Sequence, residues 1–567
     1  MQLAHTGRRN SSWPKVSLAF LSISAFSAAS AAYLDKRQVS DSQLDFGSRS
    51  SRVLLQIEPS TELNWVNCYS APLQCSRLSS NTDHLNVQVP LNYTNLGEGF
   101  GTVPLVSLPS PLPDSSSYRG PTFQHVLGKE FDIIGFDPRG VGASTPAITY
   151  PATAEEEAQS AEDFGSLIDL NEGSWPTLPE RMKVIEKFAL LSEREQGDVL
   201  KHATTDNVAR DMLAIVNALG EERLQYWGFS TILGSVFASL FPENVGRMII
   251  DSVADQDGYY NNDWSINIID ADNTLTCFFD TCEAAGPERC TFHAADSKVI
   301  RERYHAVETL VHSGTLILPD GNPLDASLFE ASVHFLLYAA AKYPLLADIL
   351  VSLEKGDVTP ILSIFETGGI SPYVTVALRC TDTVAVNDAA EELQEYSVRI
   401  GNVSRYLPAV WKECGYLARE SLDITYSANT VSLLIETHSG WKVNPDNFKG
   451  PMGSNTSFPL LFVGNTADPD TPLIAAKQTS AKFPGSRVLT YDVPGHAVLA
   501  LPGNACMDAH LRSYMLNGTL PEEGVVCKDS RSFFPNANGT TDARSNDLLE
   551  VDILAEKFRS LMHRRVV

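Results

Sequence analysis

The chain has 567 residues, 43% apolar and 20% charged, with a formal net charge of −26 at pH 7. That apolar content can bury a large core in one big domain or in two to three smaller ones, which excludes general disorder. No basic stripe interrupts the acidic balance, so nucleic acid and anionic membrane surfaces are poor partners.

Arg8, Arg9 and Lys15 precede an apolar run from Val16 to Ala32 that ends in the small residues SAASAA. This is the pattern of a secretory signal peptide cleaved near Ala31 or Ala32. The run of 17 residues falls short of the ~20 that span a bilayer. A secreted, extracellular chain with no stable membrane association is expected after cleavage. Lys36-Arg37 follows at once and resembles a kexin-type dibasic processing site, which would leave Gln38 at the mature N-terminus.

Cysteine usage agrees with export. In an oxidising compartment, cysteines close in sequence form disulfides, and the expected pairs are Cys68 with Cys75, Cys282 with Cys290, Cys380 with Cys414, and Cys506 with Cys527. Cys277 is left over. Cys277, Cys282, Cys290 and His293 also have the residue types of a metal cluster, a reading that a secreted context disfavours. Glycosylation sequons stand at Asn92, Asn402, Asn455, Asn517 and Asn538.

In chain order, FDIIGFDPRGVGAST (Phe131 to Thr145) reads as a buried strand running into a glycine-rich turn. Asp206 to Leu219 places Val208, Met212, Ile215, Val216 and Leu219 at helical spacing, with Gly220 set to end the helix. LQYWGF is a second strand, TILGSVFASLF a helix and RMIIDSV a third strand. This alternation predicts a doubly wound, mostly parallel sheet with helices on both faces. After Asp255 helical patterns dominate for nearly two hundred residues. Strands return at FPLLFVGNTADPDTP and SRVLTYDVPGHAVLA, with a helix between them, and the tail ends in a predicted amphipathic helix. The expected organisation is a leader over 1–32, a short pro-segment over 33–37, a core over 38–254, an inserted helical lid over 255–450, the rest of the core over 451–527, and a tail over 528–567.

Three separated points carry chemistry. Gly228-Phe229-Ser230 puts a serine on a strand-to-helix turn, Asp468 follows a strand in GNTADP, and His496 follows the next strand in VPGHAV. The order serine, aspartate, histidine, each at a strand end, is that of the α/β-hydrolase triad: histidine takes the serine proton while aspartate holds the imidazole in its useful tautomer. The amide of Thr231, next to the nucleophile, is the candidate oxyanion donor.

The blocks VPLNYTN, EFDIIGFDPRGVGAST, YWGFS, LGSVFASLFPENVGRMIIDSV, FFDTCEAAGPERC, LLFVGNTADPDTP, PGHAV and GTLPEEGVVC resemble the secreted tripeptidyl aminopeptidase-like branch of the α/β-hydrolases, related to proline iminopeptidases. The resemblance covers most of the chain from Leu63 to Cys527. It implies an α/β-hydrolase core with a large helical lid, Ser230 as nucleophile, Asp468 as acid and His496 as base. It also implies hydrolysis of short peptides from a free amino end, some relatives acting on esters or other small acyl compounds. The substrate is thus expected to be a peptide or small acyl compound, with no metal or organic cofactor.

Two departures stand beside the matches. The family elbow reads GxSYGTxLG, whereas Ser230 runs straight into TILG, so Ile232 sits where a small residue is expected and should crowd the turn. Between SSSYRG and PTFQHVLGKEFD the family carries an apolar strand and a glycine-rich loop that supplies one oxyanion amide, and both are missing. Without that strand, FDIIGF and LQYWGF are expected to pair directly. A catalytically impaired homologue is therefore an alternative beside the peptidase and the esterase or amidase. Asp251, Asp255 and Asp257 in DSVADQDGYYNNDW are candidates for binding a substrate amino end, their other reading being a strand-end residue and solvated loop charges.

Overall fold

A computed structural model of the chain describes residues 120–148, 189–229, 232–362, 372–404 and 443–534 with short breaks, and ahead of them residues 15–20 and short strands between 66 and 108. Ten strands form one sheet: β1 (Lys15–Phe20), β2 (Val66–Asn67), β3 (Gln74–Leu78), β4 (Val103–Leu108), β5 (Phe131–Phe136), β6 (Leu224–Phe229), β7 (Val245–Asp251), β8 (Leu461–Ala467), β9 (Arg487–Pro494) and β10 (Val526–Lys528). Their spatial order is β10-β9-β8-β7-β6-β1-β5-β4-β3-β2. From β5 through β10 every pairing is parallel, and the edge from β2 to β5 is antiparallel.

β5 and β6 do not pair directly. Lys15–Phe20 lies between them, with Leu18 in register with Tyr226 on one side and Ile134 on the other. The slot that the missing family strand would fill is thus taken by part of the N-terminal apolar run. Two parallel strands separated by an empty slot would leave a row of buried amides and carbonyls without partners, and an apolar segment in the slot satisfies both rows. The apolar run of the expected signal peptide and β1 share residues 16–20, so a chain cleaved after Ala31 or Ala32 would lack this strand.

Side chains of successive sheet residues point to opposite faces and build two cores. Tyr226, Met248, Ile250 and Phe462 pack with α2 (Thr205–Ala218) and α3 (Leu233–Leu240) on one face. Trp227, Phe229, Ile249 and Val463 pack on the other, over α1 (Gly120–Leu127) and the later helix that follows β9. Val208, Met212, Ile215 and Val216 of α2 are buried at the predicted helical spacing.

Ile232 takes an ordinary helical conformation, φ −86° and ψ −18°, and is buried in the first core at the start of α3. A close approach of helix to sheet falls at Gly234. A β-carbon there would clash with Ile250 Cδ1 and lie 2.7 Å from Tyr226 Cε1.

Between β7 and β8 the described elements are helical: α4 (Gln256–Tyr260), α5 (Ala271–Ala285), α6 (Ser297–His312), α7 (Ala326–Leu337), α8 (Tyr343–Glu354), α9 (Pro372–Asp382) and α10 (Ala390–Val403). They have a core of their own around Phe278, Phe279, Tyr304, Phe329, Tyr343 and Leu350. Asp382 ties this layer to the sheet side. Its buried carboxylate accepts from the Thr205 amide at 2.9 Å, the Thr205 hydroxyl at 2.6 Å, the Tyr259 hydroxyl at 3.1 Å and the Asn447 amide at 3.0 Å. Burial nonetheless pushes its pKa up to about 6.

Helix α11 (Leu473–Ser480) joins β8 to β9, and α12 (Ala505–Asn517) precedes β10. Cys282 is bonded to Cys290 and Cys506 to Cys527, while Cys277 is a free thiol. Two of the four residues with metal-ligand chemistry are therefore joined to each other. Cys380 is also disulfide-bonded; Cys414 and Cys68 lie outside the described residues, as do Asn92 and Asn538, and of Cys75 only the strand placement is described. Asn402, Asn455 and Asn517 are exposed. Among the described residues no helix is long and apolar enough to cross a membrane.

The Cys506–Cys527 bond closes a separation of 21 residues and ties α12 to the edge strand β10. Replacing both cysteines by alanine is expected to cost about 3 kcal/mol of stability, read as a lower midpoint in chemical denaturation.

Candidate functional site

Because β6 to β9 are parallel, their C-terminal ends lie along one edge of the sheet, the edge where loops of such sheets carry ligands. Phe229 is in register with Asp251, and Ala467 with Pro494. Asp468 and His496 follow the ends of neighbouring strands. Ser230 and Thr231 lie outside the described residues, bracketed by Phe229 at the end of β6 and Ile232 at the start of α3.

Asp468 has no solvent exposure, so its carboxylate must be satisfied by protein groups. Oδ1 accepts from the amides of Asp470 at 3.0 Å and Thr471 at 2.9 Å. Oδ2 accepts from the hydroxyls of Thr471 at 2.7 Å and Ser252 at 3.0 Å. His496 Nδ1 lies 3.1 Å from each oxygen. Burial alone would raise the Asp468 pKa, but the His496 charge and these hydrogen bonds outweigh it and hold the carboxyl below its ordinary value. For His496, burial alone would lower the pKa, and the Asp468 charge and hydrogen bond reverse that and raise it. With Nδ1–H given to the carboxylate, Nε2 is left as the basic nitrogen.

Three devices hold the two side chains in place. The Asp468-Pro469-Asp470-Thr471 stretch folds back so that the aspartate captures two of its own following amides, a local turn that short acidic side chains favour. Ser252, just past β7, has a left-handed φ of 54°, uncommon outside glycine, and donates to Asp468. On the histidine side, Asn465 Nδ2 donates to the carbonyls of Gly495 at 2.7 Å and Ala497 at 3.0 Å, gripping the backbone before and after His496.

The helical layer reaches the same loop. The His496 amide donates to the Tyr338 carbonyl at 2.7 Å, and the Tyr338 ring packs 4.7 Å from the imidazole centroid. Gly495 permits this approach, having φ +106° and a position where a β-carbon would lie 2.8 Å from the Tyr338 oxygen. Beside Tyr338, His334 Nε2 lies 3.3 Å from the Asp470 carboxylate.

Thr471 touches both members of the pair, its hydroxyl lying 3.0 Å from His496 Nδ1 as well as bonding Asp468. Thr471→Val keeps the shape and removes the hydroxyl. A hydrogen bond to a charged group contributes about 1.5–3 kcal/mol, so a serine-directed reaction at this site should slow roughly tenfold to a hundredfold, checked by its rate at fixed pH. The Asp-x-x-Thr spacing was available in the sequence as a turn signal. Ser252, Asn465 and Tyr338 carry no local signal and enter only through tertiary contact.

The acidic stretch after β7 has divided roles. Asp255 caps α4, its Oδ2 accepting from Gly258 N at 3.1 Å. Asp257 is paired with Lys482 at the surface, at 2.6 Å. Asp251 is completely buried at the end of β7. These contacts place Asp255 and Asp257 in structural bonds, whereas Asp251 bonds Trp227 and the Val498 amide beside His496.

Residues 104–275 match the family described as alpha/beta hydrolase fold, and residues 427–527 match the one described as TAP-like protein. The chain is 26% identical over 423 residues to the serine protease Hip1 of Mycobacterium tuberculosis, covering 70% of this chain and 75% of that one. It is 26% identical over 420 residues to the tripeptidyl aminopeptidase of Streptomyces lividans, covering 70% and 71% respectively. Over 421 residues it is 24% identical to carboxylesterase B of Mycobacterium tuberculosis, covering 70% and 74%.

Proposed function

Since the chain has the α/β-hydrolase fold with a TAP-like C-terminal part and relatives named as peptidases, we propose that it is a serine hydrolase, an exopeptidase releasing short peptides or amino acids from free N-termini. The observation that carries this reading is the buried Asp468–His496 pair with Nε2 left basic, on the loops beside the strand that leads into Ser230. In this mechanism Ser230 attacks the scissile carbonyl as His496 takes its proton. An acyl-enzyme forms, the amine leaves with the proton that His496 returns, and water then repeats the sequence to release the acid. Asp468 stays ionised throughout and stabilises the imidazolium. The Thr231 amide supplies the oxyanion donor on this reading. Export to an oxidising compartment belongs to the proposal and is supported by the disulfides Cys282–Cys290 and Cys506–Cys527 and by the bonded state of Cys380.

A second reading, hydrolysis of a small ester or amide, is favoured by the similarity to a carboxylesterase. The test is labelling with a fluorophosphonate beside a Ser230→Ala control, the site mapped by mass spectrometry, followed by tripeptidyl, aminoacyl and acyl-ester chromogenic substrates. Labelling at Ser230 with turnover of tripeptidyl substrates supports the exopeptidase. Turnover of acyl esters alone overturns that specificity in favour of the second reading. A folded protein that is never labelled overturns both.

A further inference from the structure

Asp251 is a fully buried carboxylate near His496 whose partners leave one of its oxygens unused. Its Oδ2 accepts from Trp227 Nε1 at 3.2 Å and from the amide of Val498, two residues past His496, at 3.3 Å. Its Oδ1 is buried with no hydrogen-bond partner among the described residues. A buried carboxylate with an unpaired oxygen is costly unless it is protonated or faces a group of opposite charge. The charged and titratable groups acting on it from the surrounding elements are His496 on the loop after β9 and Asp468 on the loop after β8; β6 contributes only the indole of Trp227.

We propose that Asp251 is a second acid of this site, a positioning residue that anchors the His496 loop through the Val498 amide and sets, by its own ionisation, how readily the imidazole holds a proton. The inference rests on the hydrolase reading above and adds to it a residue outside the triad. Two neighbouring carboxyls with separated proton affinities are the means by which one site keeps an ionised acid and a titrating one. Asp468 is bonded by four donors and the histidine, and it stays charged. Asp251 has two donors and no counterion in contact, and burial, the largest cause, pushes its pKa up to about 7. Its negative charge stabilises the imidazolium, so removing that charge must lower the pH at which His496 gives up its proton. Asn at this position keeps an oxygen to accept from Val498 and Trp227.

The experiment uses the full chain and measures the rate of Ser230 labelling by a fluorophosphonate from pH 5 to 9, for wild type and Asp251→Asn. The expected result is an acid limb displaced to lower pH by about 0.5–1 unit, the size of a shift from one nearby charge across a partly screened distance. Coincident limbs, or a rate reduced by the same factor at every pH, overturn the proposal, since a merely structural role changes amplitude and not the limb.

A second readout is independent of activity: the 19F resonance of 5-fluorotryptophan at Trp227, assigned with Trp227→Phe. It should titrate in wild type, stop titrating in Asp251→Asn, and move its midpoint to higher pH in His496→Gln, where the imidazolium no longer favours the carboxylate. If wild type is never labelled but this pattern holds, the hydrolase reading fails and the acid–imidazole coupling stands. An unmoved midpoint in His496→Gln overturns the coupling itself.

Discussion

Asp468→Asn is expected to reduce Ser230 labelling by about 10⁴-fold while leaving a folded protein. The estimate follows the cost of the same change in a serine-protease triad, and the local contacts explain why it should apply. Asp468 presents only acceptors, and four protein donors and His496 Nδ1 converge on it. An asparagine turns one of those positions into an NH₂ group. Its nitrogen must then stand either at Oδ1, facing the amides of Asp470 and Thr471, or at Oδ2, facing the hydroxyls of Thr471 and Ser252, and His496 Nδ1 is 3.1 Å from both positions. At Oδ1 it leaves two buried amides without their acceptor; wherever it donates to the imidazole, Nδ1 becomes the acceptor and the proton moves to Nε2, where no base remains for the serine. The check is the labelling rate between pH 6 and 9 together with circular dichroism. A loss smaller than about tenfold in a folded variant would remove Asp468 from the catalytic machinery.

Deleting residues 1–32 is expected to have the largest effect on stability. β1 pairs with β5 and β6 in the middle of the sheet, so its loss strips partners from two strands at once. The cost of an opened central slot exceeds the few kcal/mol of a severe point mutation and approaches the total of about 5–15 kcal/mol by which domains are stable. The shortened chain should melt without a cooperative transition and elute as an expanded or aggregated species. If it melts cooperatively near the temperature of the full chain, residues 15–20 are dispensable for the sheet, and a cleaved leader is compatible with the fold. Sequencing the N-terminus of protein recovered from the culture medium decides which form is exported.

Much of this architecture was readable in advance because it is encoded locally. The helix over Asp206 to Leu219 is observed at Thr205–Ala218, since its apolar spacing, an acidic first turn and a following glycine all lie within one short segment. The strands LQYWGF and LLFVGNTA are mostly apolar, as a sheet buried on both faces demands. The disulfides Cys282–Cys290 and Cys506–Cys527 were legible from closeness in sequence, because short loops bring sulfurs together at little entropic cost. Other features had no local signature. An apolar run at a chain's start carries the same composition whether it is a leader or a strand, and only the open slot between β5 and β6 distinguishes the two. The close approach of helix to sheet at Gly234 likewise appears only in the packed structure, while the turn at Ser230 and Thr231, where Ile232 is expected to crowd, lies outside the described residues.

The sequence by itself determined the alternation of strands and helices from Phe131 onward, two of the disulfides and the placing of Asp468 and His496 just after strands, because each depends on residues within a few positions of one another. Tertiary structure alone decided which groups surround those two side chains. Ser252, Asn465, Tyr338 and Asp251 come from four separate parts of the chain. Their roles arise from burial and hydrogen-bond geometry, which exist only once parallel strands have brought distant loops to one edge of the sheet.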